Sequence, residues 1–102
     1  MTLIDKHISD IQRLCLKYKV KRLYAFGSVL TDRFERDSDI DFIVDFEPQD
    51  IHHYADNYFN LKFALEDTFK MQIDLLEEKA IRNPYFKQAI ENQRQLVYGD
   101  WN

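Results

Sequence analysis

Asp39, Asp41 and Asp74, together with the pair Gly27-Ser28, are the residues of this 102-residue chain best suited to chemistry. Asp39 and Asp41 flank Ile40 at the start of an apolar run that continues to Phe46. Residues two apart on an extended strand leave the same face, so both carboxylates should project together. At about 5 Å and an effective dielectric near 20, two such charges repel by on the order of 3 kcal/mol. A cation is needed beside them, and a hard divalent ion is the usual partner of clustered carboxylates. Asp74 lies in a second apolar run, Ile73 to Leu76. If that run neighbours the first, the three carboxylates form an oxygen-rich site able to hold two magnesium ions roughly 4 Å apart. Gly27-Ser28 offers something complementary. Glycine lets the backbone approach a phosphate, the serine hydroxyl can donate to it, and a following helical turn presents free amides.

Each feature also has a plainer explanation when taken alone. Asp39 and Asp41 fit a solvent-wetted strand face, Asp74 an edge strand, and Gly27-Ser28 an ordinary turn with Ser28 as its cap. Two better-known sites are excluded. Asp37, Asp39 and Asp41 have the spacing of the first ligands in a calcium-binding EF-hand loop, but Phe42 and Pro48 stand where that loop requires Gly and Glu. The phosphate-binding Walker pattern lacks its second glycine and its lysine.

The elements that must position these residues follow from periodicity. Ile4, Ile8, Ile11, Cys15 and Tyr18 recur at helical spacing and predict one helix over residues 3–18. Val20 to Phe26 reads as a strand stopped by Gly27, with a short helical turn over 29–34 and a charged loop after it. The next strand, Ile40 to Phe46, turns Ile40, Phe42, Val44 and Phe46 to one side and Asp39, Asp41, Ile43 and Asp45 to the other. Tyr54, Tyr58, Leu61, Leu65 and Phe69 predict a helix over 52–70, and Met71 to Leu76 a third strand. Asn83-Pro84 is a helix start, cap followed by proline, for a helix reaching Gln93. Leu96 to Tyr98 extends the fold briefly. The expected architecture is α/β (α+β), a small mixed sheet of three to four strands covered by helices, in a single domain spanning 1–102.

Composition narrows the function. Hydrophobic residues make up 45% and charged residues 31%, which suits one packed core. A net charge of −4 and a pI near 5.3 argue against general nucleic-acid binding, which needs a basic surface. The cluster Lys17, Lys19, Lys21 and Arg22 fits a solvated helix end. Cys15 is the only cysteine and falls on the first helix's apolar side, as core. With no apolar leader and no membrane-length span, a cytoplasmic protein is expected. The aromatic stripe Tyr54, Tyr58, Phe59, Phe63 and Phe69 reads mostly as core, since a helix on a sheet needs such a face. His7 reads as surface, and His52 and His53 as a solvated helix start.

The stretch Leu23 to Phe46 runs from Leu-Tyr-Ala-Phe-Gly-Ser to Asp-Ser-Asp-Ile-Asp-Phe-Ile-Val-Asp-Phe. With ten residues between Gly27-Ser28 and Asp39-Ile40-Asp41, and Asp74 on a later strand, it resembles the polymerase-beta-like nucleotidyltransferase superfamily. More narrowly, it resembles the minimal nucleotidyltransferase (MNT) group. The chain departs from many members at Thr31-Asp32, where they carry Arg-Gly. The resemblance implies that Asp39, Asp41 and Asp74 are catalytic and hold Mg2+, two ions in all, and that Asp74 acts as or beside the base. Gly27, Ser28 and Ser38 would bind the nucleotide, with ATP as the substrate. Larger relatives carry a further domain for the acceptor, so here a partner chain or a homodimer would supply that surface. The resemblance points to an antitoxin that places AMP on a tyrosine of a HEPN-family toxin. A non-catalytic antitoxin that silences its partner by complex formation, or an enzyme modifying a small molecule such as an antibiotic, would share these residues.

Overall fold

In the computed structural model, residues 2–30 and 39–100 are described. Helices α1 (Thr2–Lys6) and α2 (Ile8–Lys17) lead into strand β1 (Val20–Phe26) and a single-turn 3-10 helix, Gly27–Leu30. Strand β2 (Ile40–Phe46), helix α3 (Ile51–Phe69) and strand β3 (Ile73–Glu77) follow. A 3-10 turn at Glu78–Ala80, helix α4 (Pro84–Gln93) and strand β4 (Gln95–Tyr98) complete the described chain.

The first helix is interrupted where the sequence predicted continuity. The His7 amide bonds to the Ile4 carbonyl at 3.0 Å, an i to i+3 closure that tightens the turn and separates α1 from α2. The His7 ring then lies edge-on against Phe69, with centroids 4.8 Å apart, so His7 is half-buried rather than a surface residue.

The other boundaries follow local chemistry. Asp50 caps α3 by accepting the His53 amide at 2.9 Å, and His53 Nδ1 lies 2.7 Å from the same carboxylate. His53 is thus a capping partner in the first turn. Lys70 ends α3 in the left-handed conformation, φ 55°, returning its amide to Glu66. Asn83 accepts the amides of Tyr85 and Phe86, and Pro84 opens α4, as the sequence predicts.

The strands form one mixed sheet in the order β3-β2-β1-β4. β1 pairs antiparallel with both β2 and β4, while β2 and β3 run parallel, joined by the crossover helix α3. The predicted extension at Leu96–Tyr98 is therefore a genuine fourth strand. Alternation sorts the sheet's two faces. Ile40, Phe42, Val44 and Phe46 are buried beneath α1, α2 and α3 with Leu23, Ala25, Ile73 and Leu75, and Cys15, Leu61 and Leu65 close over them. The opposite face carries a smaller cluster of Tyr24, Ile43 and Ile90 under α4, with Phe26, Leu76 and Leu96 beside it. Asp41 belongs to this second, sparsely covered face, because it alternates with Phe42 on β2.

β3 is an edge strand whose outward groups are partly satisfied by α3. Tyr58 donates its hydroxyl to the Leu75 carbonyl at 2.7 Å, and Glu66 accepts the Ile73 amide at 3.4 Å. The aromatic stripe of α3 is mostly core, as expected, with two exceptions. Tyr54, Tyr58 and Phe69 pack against the core, but Phe59 and Phe63 are 52% and 59% exposed. Leu61 and Leu65 already fill the helix's inward side, which leaves these two rings pointing away from the sheet.

Candidate active site

Parallel pairing of β2 with β3 sets Asp41 directly opposite Asp74. Residues in register on neighbouring strands project side by side from the same face. Asp39 precedes β2 by one residue and shares that face by alternation. Asp41 is half-buried while Asp39 and Asp74 are exposed. Burial, and then the charges of Asp74 and Asp39, hold the Asp41 carboxyl above its ordinary range. The three aspartates singled out by the sequence therefore share one electrostatic neighbourhood.

Gly27 closes this cluster from the side of β1. Phe26 is the partner of Asp41 across the antiparallel pair, and Gly27 follows it with φ +80°. A β-carbon on Gly27 would stand 2.7 Å from Asp41 Oδ2. Any side chain here would suffer twice, from the left-handed backbone and from the carboxylate. The 3-10 turn beginning at Gly27 includes Ser28, while Ser38 and Thr31-Asp32 lie outside the described residues.

Among the described residues, no three His, Cys, Asp or Glu side chains form a preassembled metal cage. The donor chemistry nevertheless fits magnesium. That ion is commonly held by one or two carboxylates and completed by water and substrate phosphates rather than by an all-protein cage. Clustered carboxylates whose mutual repulsion already disfavours charge on Asp41 are the hard, anionic donors such an ion needs.

The same face holds a cation that the sequence reading did not single out. The Arg94 guanidinium lies 3.9 Å over the Tyr24 ring, and its Nη1 donates to Glu78 Oε1 at 3.1 Å. Tyr24 pairs with Ile43, one alternation along from the Phe26–Asp41 pair, so Arg94 borders the carboxylate neighbourhood. Only the docking of α4 reveals this; Arg94 is seventy positions from Tyr24. Other candidates separate cleanly. Cys15 is fully buried on the far side of the sheet, and burial pushes its thiol up to about 12, so it is packing material. Arg22 of the basic cluster pairs with Asp45 at 3.4 Å and is structural.

Comparisons with known proteins agree with this geometry. Residues 9–100 match the family model described as Polymerase beta, Nucleotidyltransferase. A Methanocaldococcus jannaschii protein, named by inference as a protein adenylyltransferase, is 37% identical over 82 residues, covering 80% of this chain and 79% of that protein. Among solved structures, one described as a minimal nucleotidyltransferase superposes with a TM-score of 0.75 at 24% identity, covering 89% of each chain. A second contains a tri-AMPylated Shewanella oneidensis HEPN toxin in complex with its MNT antitoxin. It matches with a TM-score of 0.66 at 20% identity, over 95% of this chain and 73% of that one. Sheet order, carboxylate face and sequence match converge, and the chain belongs to the polymerase-beta nucleotidyltransferase family.

Proposed function

We propose that this nucleotidyltransferase moves AMP from ATP to a tyrosine hydroxyl of a HEPN-type toxin, and so acts as an antitoxin. The observation that carries the reading is the direct pairing of Asp41 with Asp74, closed by Gly27 against the Asp41 carboxylate. The AMPylated HEPN toxin seen beside a fold relative supports the choice of acceptor.

Asp39 and Asp41 would hold the magnesium ion that binds the triphosphate, and Asp74 would share a second. Magnesium bound there supplies positive charge against the phosphates and the leaving pyrophosphate. Gly27 keeps the backbone close enough for its own turn to meet the triphosphate, and Ser28 and Ser38 add hydroxyl donors. Asp74, exposed on the edge strand, would accept the acceptor's proton. The tyrosine oxygen bonds to the α-phosphorus, the bond from that phosphorus to the bridging oxygen breaks, and pyrophosphate departs. The tyrosine proton passes to the Asp74 carboxylate. In this arrangement the protein contributes orientation and electrostatics.

The test is transfer of α-labelled AMP from ATP onto a co-expressed HEPN protein in magnesium. Labelling by the wild type, its loss in Asp41→Asn, and failure of a Tyr→Phe acceptor to be labelled would support the proposal. A toxin silenced equally well by Asp41→Asn, without label, would replace it with inhibition by complex formation. Labelling of an aminoglycoside-type hydroxyl compound in the absence of protein partner would replace it with small-molecule transfer.

A further inference from the structure

Phe59 and Phe63 stack on each other on the outer side of α3, their centroids 6.3 Å apart and their planes 29° from parallel. Both rings are more than half exposed, with the Tyr58 ring edge-on against Phe59 at 5.1 Å. Around Phe59 runs a stripe at helical steps of three, four and seven, with Asp56, Ala55 and His52 on one side and Lys62, Phe63 and Glu66 on the other. These positions are symmetric about residue 59. Their chemistry is complementary across that centre: Asp56 mirrors Lys62, small Ala55 mirrors large Phe63, and His52 mirrors Glu66.

We propose that this stripe is a self-recognition surface, on which α3 of a second copy packs antiparallel about a two-fold axis through Phe59. Such an axis places residue i opposite residue 118 minus i. It brings Phe59 against Phe59, each Asp56 against a Lys62, and each Phe63 against an Ala55. A two-fold interface must be complementary to itself, which an arbitrary apolar helix face is not. A partner of unrelated sequence would require no such symmetry. Asp56 and Lys62 have no ion-pair partner within the described chain, so both are available across the axis. Glu66 already holds the Ile73 amide through one oxygen, which leaves the central pairs to carry most of the specificity. The stripe extends over fourteen residue steps, about 21 Å of helix.

The inference is independent of the proposed acceptor. α3 covers the sheet face opposite Asp41 and Asp74, so pairing through α3 leaves both carboxylate faces open.

Sedimentation equilibrium on the isolated chain, from about 10 to 200 µM, tests it, because an interface of this limited size favours micromolar association. The expected species at the upper end has twice the 12.4 kDa monomer mass. Phe59→Asp should weaken association at least tenfold. Asp56→Lys and Lys62→Glu should each do the same, and an equimolar mixture of the two should recover a heterodimer, since each new charge then meets its opposite. These sites are on the helix surface, and circular dichroism checks that the fold survives. A monomeric wild type over the whole range overturns the proposal. So does a dimer indifferent to Phe59→Asp, or a mixture of the charge variants that stays monomeric.

Discussion

The backbone of Gly27 lies against the Asp41 carboxylate so closely that a β-carbon added to Gly27 would be 2.7 Å from Oδ2. The contact ties the end of β1 to the middle of the carboxylate cluster. It also makes Gly27 a residue with two separate duties, backbone conformation at φ +80° and room for an acid.

Gly27→Ala should therefore cost both stability and activity. The left-handed conformation alone costs a non-glycine residue about 1 kcal/mol, and displacement of the carboxylate adds to it. A fall in Tm of several degrees is expected for a domain of this size. AMP transfer should drop by more than the lost folded fraction explains, because Asp41 must move. Thermal melting alongside single-turnover transfer checks the pair of effects. Full activity in a variant that melts normally would show that the contact is incidental.

Asp41 leads to a pH prediction whose sign is opposite to that of an ordinary salt-bridged aspartate. Its folded pKa is raised above the ordinary value of 3.8, chiefly by burial and then by Asp74 and Asp39. The folded state thus binds this proton more tightly than the unfolded state, and ionising Asp41 destabilises the fold. The penalty is absent below 3.8, grows as pH rises, and is complete above the raised folded value. With metal removed by EDTA, Asp41→Asn should be modestly more stable than wild type at neutral pH, because solvent screens a carboxylate this exposed. The advantage should shrink on acidification through that window. Added magnesium should raise the Tm of wild type more than that of the variant. Chemical denaturation across pH, repeated with and without magnesium, measures all three, and an advantage that grows toward low pH would contradict the assigned shift.

Local pattern made much of this site readable before any fold was known. Strict alternation from Asp39 to Phe46 placed two carboxylates on one strand face, because a strand's period of two permits no other assignment. The cap at Asn83-Pro84 was equally plain, since cap chemistry is local. What could not be read depends on contacts distant in sequence. The pairing of Asp74 with Asp41 requires the parallel register delivered by α3, and no spacing within either strand specifies it. Arg94 reaches Tyr24 only because α4 docks on the second sheet face. The break at His7 reflects a turn closed onto Ile4, invisible to a hydrophobic pattern that continues across it. The division of the aromatic stripe into packed rings and the exposed Phe59 and Phe63 has a related reason. Their spacing is helical, but spacing alone does not say which apolar stripe of a helix faces the sheet.

Tyr58 offers a way to perturb Asp74 without touching a carboxylate. Its hydroxyl donates to the Leu75 carbonyl, the residue after Asp74, on the open edge of β3. Tyr58→Phe keeps the ring and removes that bond, which should cost about 1 kcal/mol. Amide exchange in β3 should quicken, because the edge loses one of the α3 contacts that hold it. Since Asp74 moves with the strand, AMP transfer should fall modestly, severalfold, and far less than in Asp74→Asn. The two effects should also separate by temperature. Near the melting transition the Tyr58→Phe deficit should widen as the strand frays, whereas loss of the Asp74 carboxylate should depress transfer equally at every temperature at which the protein is folded. Hydrogen exchange and a temperature series of transfer rates check this. A Tyr58→Phe variant as inactive as Asp74→Asn, with β3 exchange unchanged, would instead place the Tyr58 hydroxyl in direct contact with the reacting groups.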